Sequence, residues 1–126
     1  YPNVTICATV ENQITADERL PILLSLPIKH KAIIHEPMLE DIEIEKYIQS
    51  GQIEHVTCGG ESGPNARECN YDWILHTKNQ CEKYNVPFFF KQTGANFIKN
   101  GRHYQIQRKD QMHQAKKANI NTKDLN

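Results

Sequence analysis

One glycine-rich run combines residue types that bind charged ligands. It reads Cys58-Gly59-Gly60-Glu61-Ser62-Gly63-Pro64-Asn65-Ala66-Arg67 and follows a short apolar stretch. Glycines allow a tight turn and a close approach of the backbone to a ligand, and successive exposed N–H groups can bind an anion. Glu61 and Arg67 add one charge of each sign. The run predicts a binding loop, although a tight strand-to-helix turn would also explain its paired glycines.

Polar residues follow three other apolar stretches as well. In parallel α/β folds, ligands bind at the carboxyl ends of the strands, so these residues are expected to face one cavity. Small residues between the apolar ones of the first strand would leave room there for a ligand. Catalytic roles stay open, and no metal ligands are predicted. The candidate substrate- or cofactor-binding residues are Glu11, Asn12, Glu36, Gly59, Gly60, Glu61, Ser62, Arg67, Lys91 and Gln92.

Several of these side chains have two interpretations. Lys91 could neutralise Glu36 or Glu61, or act as a Schiff-base lysine. Arg67 could bind a carboxylate or phosphate, or fix its own loop through a neighbouring carboxylate such as Glu68 or Asp72. His35 is a candidate general base.

The elements that would position these residues alternate along the chain. Alternating apolar residues predict a strand over residues 4–10, and short apolar stretches predict further strands over residues 31–36, 53–58 and 87–91. Helices are expected from a capping box at residues 15–18, from Asp41, and from Asn70, which is a good N-cap. A hairpin near residues 97–106 and a short helix near residues 110–118 would follow.

Strand–helix alternation predicts an α/β fold with a parallel sheet and right-handed crossovers. Four such βα units would form half of a TIM-like barrel over residues 1–96, followed by a polar, basic and irregular C-terminal extension over residues 97–126. An isolated half-barrel would expose sheet edges. Because the chain starts at Tyr1 without an initiator Met, we expect it to be part of a longer protein with an N-terminal half.

Composition restricts the class of protein. With 126 residues and 38% hydrophobic content, the chain is long and apolar enough to form a core. It has no apolar run of about 20 residues, which predicts no membrane span. The four cysteines lie outside C-x-x-C motifs, so a cytoplasmic location is expected. Cys7 and Cys58 fall in apolar stretches and are predicted to be core residues, and so is the aromatic triplet Phe88-Phe89-Phe90.

Ordered motifs across most of residues 3–120 resemble a known family. The chain resembles the C-terminal half of an uncharacterised phage-type protein family, whose members are often called phage Gp-family proteins. The resemblance includes the basic Arg108-Lys109 tail. The matching motifs are Asn3-Val4-Thr5, Val10-Glu11-Asn12-Gln13, Arg19-Leu20-Pro21, Leu24-Ser25-Leu26-Pro27, His35-Glu36-Pro37, the run from Gly59 to Arg67, Trp73, and Phe90-Lys91-Gln92-Thr93-Gly94.

This family is similar to radical S-adenosylmethionine (SAM) enzymes. The resemblance implies a barrel-like fold, SAM and a [4Fe–4S] cluster held by three closely spaced N-terminal cysteines. It also implies a three-cysteine-motif protein as a possible partner, besides the N-terminal half itself. The four cysteines of this chain are scattered, so it is expected to lack the cluster and to be inactive alone. Its Gly59-Gly60-Glu61 segment resembles the one that holds the SAM amino group, although a role in substrate binding is equally compatible.

Three functions remain open at this point. The first is a fragment of a radical-SAM-like enzyme that contributes strand ends to a substrate or cofactor site. The second is a barrel lyase or isomerase that uses Glu11, Glu36 and Glu61 around a divalent ion, or Lys91 as a base. The third is a non-catalytic module that binds a protein or nucleic acid through the basic segment over residues 99–123. The substrate, whether a small molecule or a nucleic acid, is not predicted.

Overall fold

A computed structural model describes residues 3–123 and alternates strands with helices. Asn70 caps its helix as predicted, with its side chain accepting from the Asp72 N–H at 2.9 Å. The described elements, in chain order, are β1 (Thr5–Thr9), α1 (Gln13–Ser25), β2 (His30–His35), α2 (Glu45–Ile48), β3 (Ile53–Gly59), β4 (Cys69–Asn70), α3 (Tyr71–Lys83), β5 (Phe88–Gln92), β6 (Asn96–Lys99), β7 (Arg102–Gln105) and α4 (Arg108–Lys117).

Four parallel strands form the main sheet, in the order β1-β2-β3-β5. This confirms the predicted α/β class and the parallel sheet. The strands follow one another in space as they do along the chain, and α1, α2 and α3 lie in the crossovers between them. All four carboxyl ends therefore meet at one edge of the sheet, which we call the carboxyl edge.

One face of the sheet is packed, and the other is exposed mainly along its two outer strands, while Ala32 at its centre is buried. Buried Val10, Ile33, Val56 and Phe88 belong to a core shared with the helices. The opposite face, which we call the open face, carries side chains from all four strands. From one edge of the sheet to the other, these are Thr5, Cys7 and Thr9 of β1, Ala32 and Ile34 of β2, His55 and Thr57 of β3, and Phe89 and Lys91 of β5.

Two predictions about the core are wrong because of this division. Cys7 is exposed, and Phe89, in the middle of the aromatic triplet, is 39% exposed. Both side chains project from the open face, since successive residues of a strand point to opposite faces. Phe88 and Phe90, on either side of Phe89, are buried as expected.

A second, smaller sheet and α4 complete the described part of the chain. β4 pairs with β6, which forms an antiparallel hairpin with β7. α4 packs beside β5, and the Phe90 N–H donates to Asn121 Oδ1 at 2.6 Å along the outer edge of β5. The expected hairpin and short helix are thus present, and the C-terminal segment is more regular than the predicted irregular tail because Phe97 and Ala115 are buried in the core. None of the helices described is long and apolar enough to cross a membrane.

Candidate functional site

Glu36 is the centre of a polar cluster at the carboxyl edge. It follows β2 directly, and its Oε2 accepts a hydrogen bond from Gln92 Nε2 at 2.7 Å. Its Oε1 lies 3.2 Å from Lys91 Nζ. The Glu36 side chain is 20% exposed and that of Lys91 46%, so the cluster is open to solvent on one side. The structure therefore brings together three predicted residues from β2 and β5, and it pairs Lys91 with Glu36.

Close contacts around Gly59 and Gly60 leave no room for a side chain at either position. A Cβ on Gly59 would lie 2.8 Å from Glu36 Oε2, so glycine leaves room for that carboxylate. A Cβ on Gly60 would lie 2.4 Å from the Thr93 carbonyl oxygen, because the loops after β3 and β5 touch there. The Gly60 N–H donates to the Gln92 carbonyl at 3.2 Å. That N–H is therefore already paired, and the expected anion-binding use of the turn does not include it.

Glu61 and Arg67 hold the loop after β3 in shape. Glu61 Oε1 accepts from the Arg67 backbone N–H at 2.9 Å and from Arg67 Nε at 3.0 Å, while Oε2 accepts from Nη2 at 2.8 Å. Hydrogen bonds from Arg67 hold the pKa of Glu61 at about 2, and Glu61 in turn raises the pKa of Arg67. Arg67 fixes its loop through Glu61 rather than through Glu68 or Asp72. Ser62 belongs to this loop and lines a shallow depression beside the ion pair.

Glu11 and Asn12 have local partners at the end of β1. Glu11 Oε2 lies 3.4 Å from Arg19 Nη1, which also donates to the Thr9 carbonyl at 2.5 Å. Asn12 caps α1, since its Oδ1 accepts from the Thr15 N–H at 2.9 Å and Thr15 Oγ1 accepts from the Asn12 N–H at 3.2 Å. The capping box thus begins at Asn12, three residues before the predicted start. The sequence reasoning missed Arg19, which only the packing of α1 brings to Glu11.

His35 is the last residue of β2 and precedes Glu36, but its side chain lies in the interior and not at the solvent-exposed part of the Glu36 cluster. It is fully buried, and its Nδ1 lies 2.7 Å from the Val10 carbonyl oxygen, which requires Nδ1–H to be the donor. Burial lowers the pKa of His35 to about 4, and its Nε2 has no partner among the described residues. A neutral, buried imidazole is poorly placed to act as the predicted general base.

Within residues 3–123, no three His, Cys, Asp or Glu side chains are grouped so that they could hold a metal ion. Cys58, Cys69 and Cys81 are buried, and burial raises the pKa of each of their thiols. The described residues therefore do not fit a cysteine-ligated [4Fe–4S] cluster.

Fold and site together define a parallel α/β protein with its candidate binding residues at the carboxyl edge of the sheet. A family model described as "Protein of unknown function (DUF5131)" matches residues 1–124. The chain therefore belongs to this family. No curated protein and no solved structure matches the chain.

Proposed function

We propose that this chain is half of a β/α barrel in a radical-SAM-like enzyme, and that its carboxyl edge binds the substrate or part of SAM. The observation that carries the proposal is the Glu36 cluster, in which side chains from two strands meet over Gly59. Such strand ends are where barrels and open parallel sheets bind ligands. The proposal of the radical SAM class rests on the family resemblance of the sequence motifs described above.

The arrangement of the sheet supports the barrel. Strands in sequential order with their crossover helices packed on one face are typical of a β/α barrel, whereas doubly wound sheets carry helices on both faces. The open face, with its small residues Thr5, Cys7 and Thr9, would become part of the barrel interior. The proposed N-terminal half would then pair with β1, the edge strand of the sheet opposite β5.

Each residue of the cluster has a distinct role in this proposal. The carboxylate of Glu36 would accept hydrogen bonds from an amino or hydroxyl group of the ligand, in the place now taken by Lys91. The released Lys91 ammonium would face an anionic group, and Gln92 would keep Glu36 oriented. Gly59 and Gly60 would keep the two loops close enough for this arrangement.

A [4Fe–4S] cluster and SAM would supply radical chemistry once bound. The cysteine ligands of the cluster would have to come from the proposed N-terminal half, because the described cysteines do not fit that role. Glu61 is already saturated by Arg67, so Glu36 is the better candidate for an amino group of the ligand.

The distribution of charge favours this proposal over a metal-dependent lyase. Each of the three carboxylates lies beside its own cation: Glu11 beside Arg19, Glu36 beside Lys91, and Glu61 beside Arg67. Three carboxylates that shared a divalent cation would need to turn their oxygens toward one point. The observed pairing instead produces three separate, nearly neutral contacts.

The test uses a form of the protein that includes the proposed N-terminal half. It is reconstituted anaerobically with iron and sulfide and reduced, and release of 5′-deoxyadenosine from SAM is measured together with SAM binding by equilibrium dialysis. Removing the charge of Glu36 with Glu36→Gln should weaken binding of SAM or substrate about 10- to 100-fold, the value of a charge-assisted hydrogen bond. Glu18→Gln, on an exposed position of α1, is the matched control.

Two failures can be told apart. If the parent protein neither binds nor cleaves SAM, the radical SAM proposal is wrong. If the parent cleaves SAM while Glu36→Gln behaves like Glu18→Gln in both assays, the enzyme class stands and the role given to Glu36 is wrong.

A further inference from the structure

Positive charge is concentrated at one end of the chain. Residues 96–123 contain seven Lys and Arg residues and one acidic residue, Asp110, whereas residues 1–95 contain eight Lys and Arg residues and thirteen acidic ones. The neutral total therefore hides a net charge of +6 on the segment that forms β6, β7 and α4. A polyanion would be attracted to this segment and repelled by much of the remaining surface.

Carboxylates of the described residues do not neutralise these cations. All seven side chains are exposed, and within residues 3–123 none of them forms an ion pair with a carboxylate. By contrast, Arg19, Arg67, Lys83 and Lys91 elsewhere in the chain are each paired with a glutamate. Two of the seven have neutral partners, since Lys99 Nζ lies 5.1 Å from the centre of the Tyr71 ring and Lys123 Nζ donates to Asn119 Oδ1. The seven cations are Lys99, Arg102, Arg108, Lys109, Lys116, Lys117 and Lys123.

The hairpin places an aromatic ring among these cations. Its register sets Lys99 opposite Arg102 and Phe97 opposite Tyr104, and directly opposed residues share a face of the ladder. Phe97 is buried, but Tyr104 is 43% exposed. A groove of about 330 Å³ lies beside this ring, with Phe97 and Ile106 in its lining, Lys99 at one side and Gln114 of α4 at another.

We propose that the face formed by the β6–β7 hairpin and α4 binds single-stranded nucleic acid. Lys99 and Arg102, together with the cations of α4, would contact phosphates, while a base stacks on Tyr104. Single-strand binding surfaces combine a cationic track for the backbone with exposed aromatic rings for the bases. A duplex offers no free base face to Tyr104, so the exposed ring favours a single strand. This inference does not depend on the chemistry proposed for the carboxyl edge.

A series of neighbouring depressions leads from this groove toward the loop after β3. Residues 104–107 line adjoining depressions that run along the start of α4, and the next depression is lined by Ala95, Arg108 and Gly63. Gly63 lies in the loop held by Glu61 and Arg67. A strand bound on the hairpin could therefore extend to the carboxyl edge of the main sheet.

Binding is measured with the purified protein and fluorescein-labelled 20-nucleotide oligo-U and oligo-dT by anisotropy, from 50 to 250 mM NaCl. Four phosphate contacts would give a slope of log K against log salt of about −3. The Lys99→Gln/Arg102→Gln variant should weaken binding and make this slope shallower by about 1.4. The control Lys29→Gln/Lys46→Gln removes two exposed charges from elsewhere on the chain and should leave affinity and slope unchanged.

The aromatic part of the proposal has its own variants. Tyr104→Ala should weaken binding about 5- to 150-fold, the value of one stacked base, with the salt slope unchanged. Tyr104→Phe keeps the ring and should bind like the parent. Circular dichroism of each variant shows whether the fold is retained.

Several results would overturn the inference. It is wrong if neither oligonucleotide binds at 50 mM NaCl, or if the two double variants weaken binding equally. It is also wrong if heparin and duplex DNA compete for the surface as well as single strands do and Tyr104→Ala has no effect on binding. The last result would indicate a general polyanion surface. A preference for oligo-U over oligo-dT, or the reverse, would identify the natural strand as RNA or DNA.

Discussion

At the scale of single residues, the candidate site is a set of paired charges. Glu36 meets Lys91, and Glu61 meets Arg67, at N–O distances of 3.2 and 2.8 Å. A single exposed contact such as Glu36–Lys91 contributes little to stability, typically up to about 1 kcal/mol. A ligand that offers Glu36 a better partner could therefore replace Lys91, whereas the bidentate hydrogen bonds between Arg67 and Glu61 are harder to replace.

His35 makes the stability of the protein depend on pH. Its pKa is about 4 in the folded protein and about 6.5 in an unfolded chain, so the unfolded state binds more protons between these pH values. Stability is thus fully present above pH 6.5 and falls as the pH is lowered toward 4, by roughly 3 kcal/mol in total. Urea unfolding at pH 7, 6, 5 and 4.5 should show this decline.

A matched pair of variants assigns that pH dependence to one residue. His35→Gln can still donate to the Val10 carbonyl and does not titrate, so its stability should change little between pH 6.5 and 4.5. His113→Gln, on an exposed position of α4, should retain the parent's decline. A decline that persists unchanged in His35→Gln would contradict the assignment.

At the scale of elements, Asn12 is expected to act on α1 rather than on a ligand. Asn12→Ala removes the N-cap and should lower the free energy of unfolding by about 1 kcal/mol, whereas Asn12→Asp keeps an acceptor and should cost little. Chemical denaturation gives both values, with Asn65→Ala in the exposed loop after β3 as a control. Unchanged stability of Asn12→Ala together with impaired ligand binding would show that the cap assignment is wrong.

The elements themselves were largely predictable, because their signals are local. Alternating apolar residues located β1, short apolar stretches located β2, β3 and β5, and Asn70 marked the start of α3. α2 was placed less well, since it begins after Ile44 rather than at Asp41. There the side chain of Gln80 on α3 accepts from the Ile44 N–H at 2.6 Å, and a contact across 36 residues leaves no mark in the local pattern.

The site was predictable in its location but not in its contacts. The order of strands and helices placed Glu36, Lys91 and Gln92 at one edge. Which carboxylate meets which cation depends on loop shapes, and Lys91 lies 55 residues from its partner along the chain. The same limit explains Cys7: periodicity separates the two faces of a strand but does not say which face is packed.

At the scale of the whole molecule, charge and packing are both one-sided. The helices α1, α2 and α3 accompany one face of the main sheet, α4 lies along β5, and β1 is the other edge strand. Six of the seven cations of the basic segment lie on the hairpin and α4, and Lys123 follows α4. A molecule arranged in this way offers the open face and the β1 edge to further βα units, while the cationic surface remains available on the side of β5.

Thiol reactivity measures whether the open face is covered. Cys7 is exposed on that face, whereas Cys58, Cys69 and Cys81 are buried, and burial raises the thiol pKa of Cys69 and Cys81 to about 12. Thiolates are the reactive species. With N-ethylmaleimide at pH 7.5, mass spectrometry should therefore show one rapidly modified thiol. The buried three should react on the order of 100-fold or more slowly, because the protein must first open.

The same reaction distinguishes a half-barrel from an open sheet that is complete as it stands. Cys7→Ser should abolish the rapid phase and leave the slow one, which assigns the signal to the open face. In a form of the protein that includes the proposed N-terminal half, strands added beside β1 would curve over the open face and bury Cys7, and its rate should fall toward that of the buried thiols. Equal Cys7 rates in the short and long forms would mean that the added residues do not cover this face. The sheet would then be open, and its carboxyl edge would have to bind ligands without a surrounding barrel.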